Sequence, residues 1–121
     1  MIVEAEIAQY LTDVLPYPIY GERPDEPPQR YYLMEKVGGH RSNGLFYSAI
    51  TVQSIVKASS ETSLFDAAAM NDTLLRAVFD DNGGLLLCPD ITRAELNGNS
   101  NYTDPESGEY KYQALFDIYH Y

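Results

Sequence analysis

The sequence predicts an α+β domain: one mostly antiparallel sheet of about 4–5 strands, including a long hairpin, with two helices packed on it. Two segments repeat apolar residues at spacings of three and four, as helices do, and several others alternate apolar and polar residues, as strands do. An Asn-Gly pair, a strong hairpin signal, separates the two longest strand-like segments. The chain has 121 residues, the usual size of one domain, so we expect residues 1–121 to form a single domain.

Two amphipathic segments are predicted to be helices, over residues 2–14 and about 62–80. The first ends before Pro16, because proline cannot continue a helix. The second follows a serine-rich stretch suited to capping and ends before the glycine pair at 83–84. The expected apolar face of the second helix consists of Leu64, Phe65, Ala68, Ala69, Leu75, Val78 and Phe79.

The alternating segments predict the strands, and three polar or proline-rich segments predict the loops between them. Extended segments are expected at residues 17–20, 30–37, 45–57, 85–88, 90–96 and 110–120. The predicted loops are the proline-rich loop 21–29, the hairpin tip Gly38–Gly44 and the polar loop 97–109. In the last strand, every second residue from Tyr110 to Ile118 is expected to lie on one face, and Lys111, Gln113, Asp117 and Tyr119 on the other.

The chain is strongly acidic, with 18 acidic and 8 basic side chains and a net charge of -10. Such a surface repels phosphate groups, so we expect no specific nucleic-acid binding. The acidic charge would also be explained if it served only to keep the protein soluble. The start of the chain is not typical of a secretory signal and the apolar runs are short, so we expect no membrane span. The expected compartment is the cytoplasm.

No motif in the sequence predicts catalysis, a cofactor or a metal. The single cysteine, Cys88, lies in an apolar run and is expected to be a small core residue. His40 and His120 lie far apart and in no ligand-spaced motif. Neither a phosphate-binding loop nor a nucleophile elbow is present in the sequence. We therefore expect no catalytic residue, no cofactor and no metal site.

The three predicted loops are the best candidates for contacts with partner proteins, since long loops in a small domain are often functional. Solvent exposure alone would explain them equally well. The chain also has 11 tyrosines and no tryptophan, and tyrosine suits protein interfaces. We expect Arg41, at the hairpin tip, to pair with an acidic patch on a neighbouring copy. The expected assembly contacts are Arg23, His40, Arg41, Asn43 and Tyr102.

Several segments of the chain, taken together, form a distinctive layout. An N-terminal amphipathic helix precedes PIY (18–20), and the strand YYLMEKVGG (31–39) precedes Asn43-Gly44. The strand ITVQS (50–54) and a capped, alanine-rich helix follow, and the last strand reads YQALFDIY (112–119). This layout is similar to that of tail-terminator proteins, also described as tail-completion or head–tail joining proteins, of tailed phages and prophages. The resemblance spans nearly the whole chain.

The resemblance implies a structural, non-enzymatic role in virion assembly. Members of this family form homo-oligomeric rings, commonly hexamers, that cap the tail tube and meet the head. The implied partners are other copies of the chain, the phage tail tube protein and a head-completion or connector protein. DNA would pass through the ring without specific binding. The implied location is the tail or neck of the virion, after assembly in the bacterial cytoplasm, and the family has no catalytic residues to transfer.

Two other functions compatible with the sequence are a different neck or minor tail component and a small ligand-binding α+β domain. A small enzyme would need a pocket in which titratable side chains converge. His120, Asp117 and Glu35 are the first candidates for such a site.

Overall fold

A computed structural model, which describes residues 2–42 and 44–121, shows the predicted α+β fold. Its described part has two helices and one five-stranded sheet in the order β1-β2-β3-β5-β4. Among the strands of the described residues, only the β1–β2 pair is parallel. The elements are α1 (Val3–Val14), β1 (Ile19–Tyr20), β2 (Arg30–Ser42), β3 (Leu45–Lys57), α2 (Leu64–Val78), a 3-10 turn (Gly84–Leu87), β4 (Ile91–Asn101) and β5 (Glu109–His120).

Both helices pack on the same side of the sheet, which we call the helix face, and the core lies between them and the strands. Because side chains alternate along a strand, every second residue of β3 and β5 reaches this core. The buried sheet residues include Ile50, Val52, Val56, Ala114, Phe116 and Ile118. Two tyrosine hydroxyls donate hydrogen bonds to α2, from Tyr10 to the carbonyl of Ala77 (2.8 Å) and from Tyr32 to the carbonyl of Met70 (3.0 Å).

The buried side of α2 differs from the predicted apolar face. The helix buries Ala67, Met70, Asn71, Leu74 and Val78, whereas Phe65 is 82% exposed. Residues two apart on a helix differ by about 200° in direction, so a buried side through Ala67 turns Phe65 towards solvent. The apolar residues of α2 allow two helical stripes, and contact with the sheet selects the one that contains the small side chain of Ala67.

The hairpin is longer than predicted, because β2 continues through most of the segment 38–44 that was interpreted as a loop. The register shifts between Lys36 and Gly38 at a bulge, after which pairing with β3 continues to Ser42. The backbones approach closely here, since a Cβ atom at Gly39 would lie 2.5 Å from the carbonyl oxygen of Tyr47. The glycine pair therefore permits a bulged strand. Gly44 takes a positive φ of 81°, and the predicted turn residue Asn43 lies outside the described residues.

Two further predictions in the C-terminal half are wrong. Residues 85–88 were predicted as a buried strand, but Gly84–Leu87 form a 3-10 turn in which only Leu85 of the three leucines is buried. Gly83 and Gly84 take positive φ angles of 123° and 55°, which reverse the chain directly after α2. The predicted loop 97–109 is shorter, because β4 extends to Asn101. The polar residues at the end of β4 form hydrogen bonds with β5. The composition of this polar segment alone does not reveal that β5 is its partner.

The close approach at the bulge gives a stability prediction. Gly39→Ala should destabilise the protein by about 1–3 kcal/mol, the usual cost of overpacking, because the new Cβ meets backbone rather than a flexible side chain. Gly38→Ala is the matched control, since its Cβ would meet Ala49 at an ordinary 3.8 Å. Urea unfolding measures both, and equal stability of the two variants would contradict the account of the bulge.

Candidate interaction surfaces

The sheet has two borders at which strand backbone lacks a partner among the described residues. β1 pairs with β2 only at Tyr32 and Leu33, so β2 from Met34 to Ser42 has one open side, which we call the hairpin edge. On the far side of the sheet, β4 pairs only with β5, which leaves a β4 edge along Ile91–Asn101. Open backbone N–H and C=O groups of this kind can pair with another strand.

Aromatic contacts hold the side chains at the end of the hairpin. The Arg41 guanidinium lies 5.4 Å from the ring centroid of Phe46, and the His40 ring lies 4.9 Å from that of Tyr47. Phe46 in turn stacks on His120 at 5.6 Å. His120 is buried and its Nε2 lies 2.8 Å from the hydroxyl of Ser48. Arg41 therefore lies on the helix face of the tip and His40 on the opposite face, each against an aromatic ring.

A patch of apolar and acidic side chains lies beside the β4 edge on the helix face. We call it the α2-end patch, and it comprises Phe79, Asp80, Asp81, Leu86 and Leu96. The three apolar side chains are 40–53% exposed, and both aspartates are exposed. Residues of α2, the 3-10 turn and β4 line an open depression of about 240 Å³ here. Such exposed apolar surface is typical of interaction sites.

Sequence reasoning missed the α2-end patch because it assigned Leu86 to a buried strand. The segment Asp80–Gly84, in which helix-ending residues are followed by a glycine pair, could have indicated a sharp turn before the three leucines. A chain that turns sharply there cannot bury three consecutive leucines on one side.

The opposite side of the sheet, which we call the open face, carries polar and aromatic side chains that bond to one another. The Tyr47 hydroxyl donates to Asp117 at 2.6 Å, and the Gln53 amide donates to Gln113 at 3.0 Å. The hydrogen bond to Asp117, together with burial, raises the pKa of Tyr47 to about 12. These pairs stiffen the sheet, since cross-strand partners are the unit of sheet stabilisation.

The three candidate enzyme residues do not come together. Asp117 lies on the open face, bonded to Tyr47. His120 lies on the helix face beside Phe46, three residues further along β5. Glu35 is an exposed residue of β2, opposite Thr51. The arrangement therefore offers no shared acid–base chemistry among these three side chains.

The proline-rich loop is attached to the open face through a buried carboxylate. Glu109 is 6% exposed, and it accepts hydrogen bonds from Arg23 (2.7 Å) and from the hydroxyl of Tyr31 (2.9 Å). Lys111 lies 3.7 Å from the same carboxylate. Burial, followed by the bond to Glu109, raises the pKa of Tyr31 to about 12. Arg23, predicted as an assembly contact, thus has an intramolecular partner that fixes the loop.

The predicted assembly contacts do not form one cluster. His40 and Arg41 lie together at the hairpin tip, and Asn43 lies outside the described residues. Tyr102, 56% exposed, begins the turn between β4 and β5, where its N–H donates to the carbonyl of Lys111 at 2.8 Å. That turn and the bound Arg23 lie towards the other end of the strands. His40 and Arg41 are therefore neighbours at the exposed tip, but their side chains project from opposite faces of the sheet.

A groove lies between α1 and the segment that follows the 3-10 turn. Its volume is about 410 Å³, and its lining includes Glu6, Tyr10 and Cys88. One carboxylate oxygen of Glu6 is buried without a hydrogen-bond partner in the structure. Burial, and then the nearby charge of Asp90, raise the pKa of Glu6. Cys88 is 7% exposed, and burial raises the pKa of its thiol, which keeps it protonated and unreactive.

Within residues 2–42 and 44–121, no three potential ligand side chains are grouped to hold a metal ion. The helices of this same part are all too short or too polar to span a membrane. Comparison with known proteins gives no match, either to a family model or to a curated protein.

The bond between Arg23 and Glu109 gives a second stability prediction. Arg23→Met should lower the free energy of unfolding by about 1–2 kcal/mol, because a buried carboxylate loses its nearest donor. The matched control is Arg76→Met, whose ion pair with Asp72 is on the exposed surface of α2; a change below about 0.5 kcal/mol is expected. Urea unfolding of both variants measures this, and similar losses would show that Arg23 does not anchor the loop.

The carboxylate of Glu6, which is partly exposed and has one buried oxygen, predicts a pH dependence of stability. The pKa of Glu6 is higher in the folded than in the unfolded chain. Stability is therefore lost as pH rises from the unfolded-state pKa to the folded-state pKa, and the loss persists at higher pH. Glu6→Gln should therefore raise the melting temperature at pH 7, with the gain disappearing below about pH 4. Glu4→Gln, in the same helical turn, is the control for charge near the helix start. A gain for Glu6→Gln that persists at low pH would contradict this explanation.

Proposed function

We propose that this protein is a non-enzymatic structural protein of phage or prophage virion assembly that forms a homo-oligomeric ring at the end of the tail tube or between tail and head. The observation that carries the proposal is the presence of two unlike open edges on opposite borders of one sheet. A surface that meets a different surface of the next copy builds rings or filaments, whereas a self-complementary patch stops at a dimer. Such a chain is suited to a ring.

The direction of the strands supports this geometry. β2, β3, β5 and β4 each run antiparallel to the next, so β4 runs opposite to β2. A copy placed beside the first in the same orientation would set its β2 antiparallel to the neighbour's β4. Antiparallel pairing could therefore continue across the contact without inverting either copy.

The particular place in the virion rests on the resemblance to tail-terminator and head–tail joining proteins, together with the charge. A net charge of -10 would let DNA pass a central opening without adhering. The proposed partners are other copies of the chain, with six copies as the expected number in a ring, together with the tail tube protein and the head-completion or connector protein. The proposed location is the tail or neck of the virion.

A small ligand-binding domain is the second candidate function, and the groove beside α1 favours it. Its buried, unpartnered carboxylate oxygen on Glu6 could accept a hydrogen bond from a donor group on a ligand.

The two functions differ in the mass that each predicts in solution. Light scattering at several protein concentrations should give a mass near six chains for a preassembled ring, and electron microscopy should then show particles with a central opening. Association that grows with concentration towards a fixed maximum also supports a closed ring. A monomer whose mass does not change with concentration would contradict self-assembly in solution and favour the ligand-binding candidate.

A further inference from the structure

We propose that the hairpin edge of one copy adds to the β4 edge of a second copy, with Lys36 and Arg41 placed against Asp80 and Asp81 of the α2-end patch. The partner is thus a second copy of this chain, bound head to tail. This inference rests on the proposed ring-forming function and specifies which surfaces meet.

The two edges match in position along the strands. Lys36 pairs across the sheet with Ile50, Phe116 and finally Leu96, so these four residues lie at one level. By the same chain of pairs, Arg41 lies at the level of Ile91. The open stretch of β2 therefore spans nearly the same height as β4. β1 pairs with β2 only at Tyr32 and Leu33, before this open stretch begins. The stretch is therefore accessible to another strand.

The proposed charge partners also lie on the same side of the sheet. Paired residues in an antiparallel ladder share a face. Lys36 is therefore on the helix face with Ile50, and Arg41 is there with Phe46, against whose ring it lies. Asp80 and Asp81 follow α2, which packs on that same face. Lateral addition of a copy in the same orientation would bring the basic pair towards the acidic pair.

The charges of both surfaces are left uncompensated within the chain. Five of the eight basic side chains form ion pairs in the described structure, and the other three are Lys36, Arg41 and Lys57. Asp80 and Asp81 also have no ion-pair partner among the described residues. By contrast, the charges on β4 itself, Arg93 and Glu95, pair with each other. Unlike charges left open on two matching edges favour mutual recognition.

Apolar surface would be covered in the same contact. Phe79, Leu86 and Leu96 of the patch are 40%, 53% and 43% exposed. The Phe79 ring already packs on Phe116 at 5.9 Å, so a neighbour would extend an existing cluster. Val37, at the bulge of the hairpin edge, is 54% exposed. Burying such groups supplies affinity, while the charge pairs set the register.

Charge reversal on each edge tests the contact. Lys36→Glu/Arg41→Glu and Asp80→Lys/Asp81→Lys should each weaken self-association at least about ten-fold, because like charges then face each other. Mixing the two variants, or combining all four changes in one chain, should restore assembly. Sedimentation velocity over a concentration series measures association, and circular dichroism melting checks that each variant is folded.

Matched reversals elsewhere serve as controls for net charge. Lys57→Glu changes the third unpaired basic side chain, which lies at the other end of β3. Glu61→Lys/Glu106→Lys changes two exposed acids in turns away from the α2-end patch. These variants should assemble like the unmodified chain.

The outcomes separate this inference from the proposed function. If the unmodified chain assembles and the reversals on the two edges change nothing, or are not rescued by combination, the head-to-tail contact is overturned while the ring remains. If the unmodified chain stays monomeric at every concentration, self-assembly itself fails and this contact fails with it. The contact is supported if both charge-reversal variants lose self-association, if mixing them restores it, and if the control variants associate normally.

Discussion

The pairing of β3 with β5 is the constraint on which the rest of the structure depends. It runs without a register shift from Phe46 opposite His120 to Lys57 opposite Glu109. A slip of one residue would turn every buried side chain of one strand to the wrong face. This register gives the helices one continuous apolar surface, and it also places Glu109 where the proline-rich loop can attach. The two central strands thus determine both faces of the sheet.

The same central pair leaves the candidate interaction surfaces at the borders of the sheet. β2 and β4 flank it on either side, and each is bulged, which bends an edge strand and strengthens its twist. Bulges and charges can also protect an edge from unwanted pairing. What distinguishes these edges is that, on the helix face of the described structure, the unpaired charges are basic at the hairpin edge and acidic beside the β4 edge. A protective role needs no such match, whereas recognition between copies requires it.

The sequence predicted the elements whose pattern is set locally and failed where a tertiary partner decides. Alternation separated the two faces of β5 from Tyr110 to Ile118, and spacing identified α1. Gly38-Gly39 was interpreted as a loop because a bulge is defined only by its partner strand. For the candidate surfaces, Arg41 was predicted at a hairpin tip, while the α2-end patch depends on how the 3-10 turn folds back and was missed. Phe65 was predicted to be on the apolar face of α2 but is exposed. The sequence of α2 contains two possible apolar stripes, and only contact with the sheet decides which one is buried.

The most direct test of the central claim is hydrogen–deuterium exchange measured at low and at high protein concentration. If the edges pair between copies, backbone amides within Met34–Ser42 and Ile91–Asn101 should exchange more slowly at high concentration, because new hydrogen bonds protect them. Amides of the two helices, which are already bonded within the chain, should not change. Equal exchange at the two edges under both conditions, in a sample that does associate, would contradict assembly through the sheet borders.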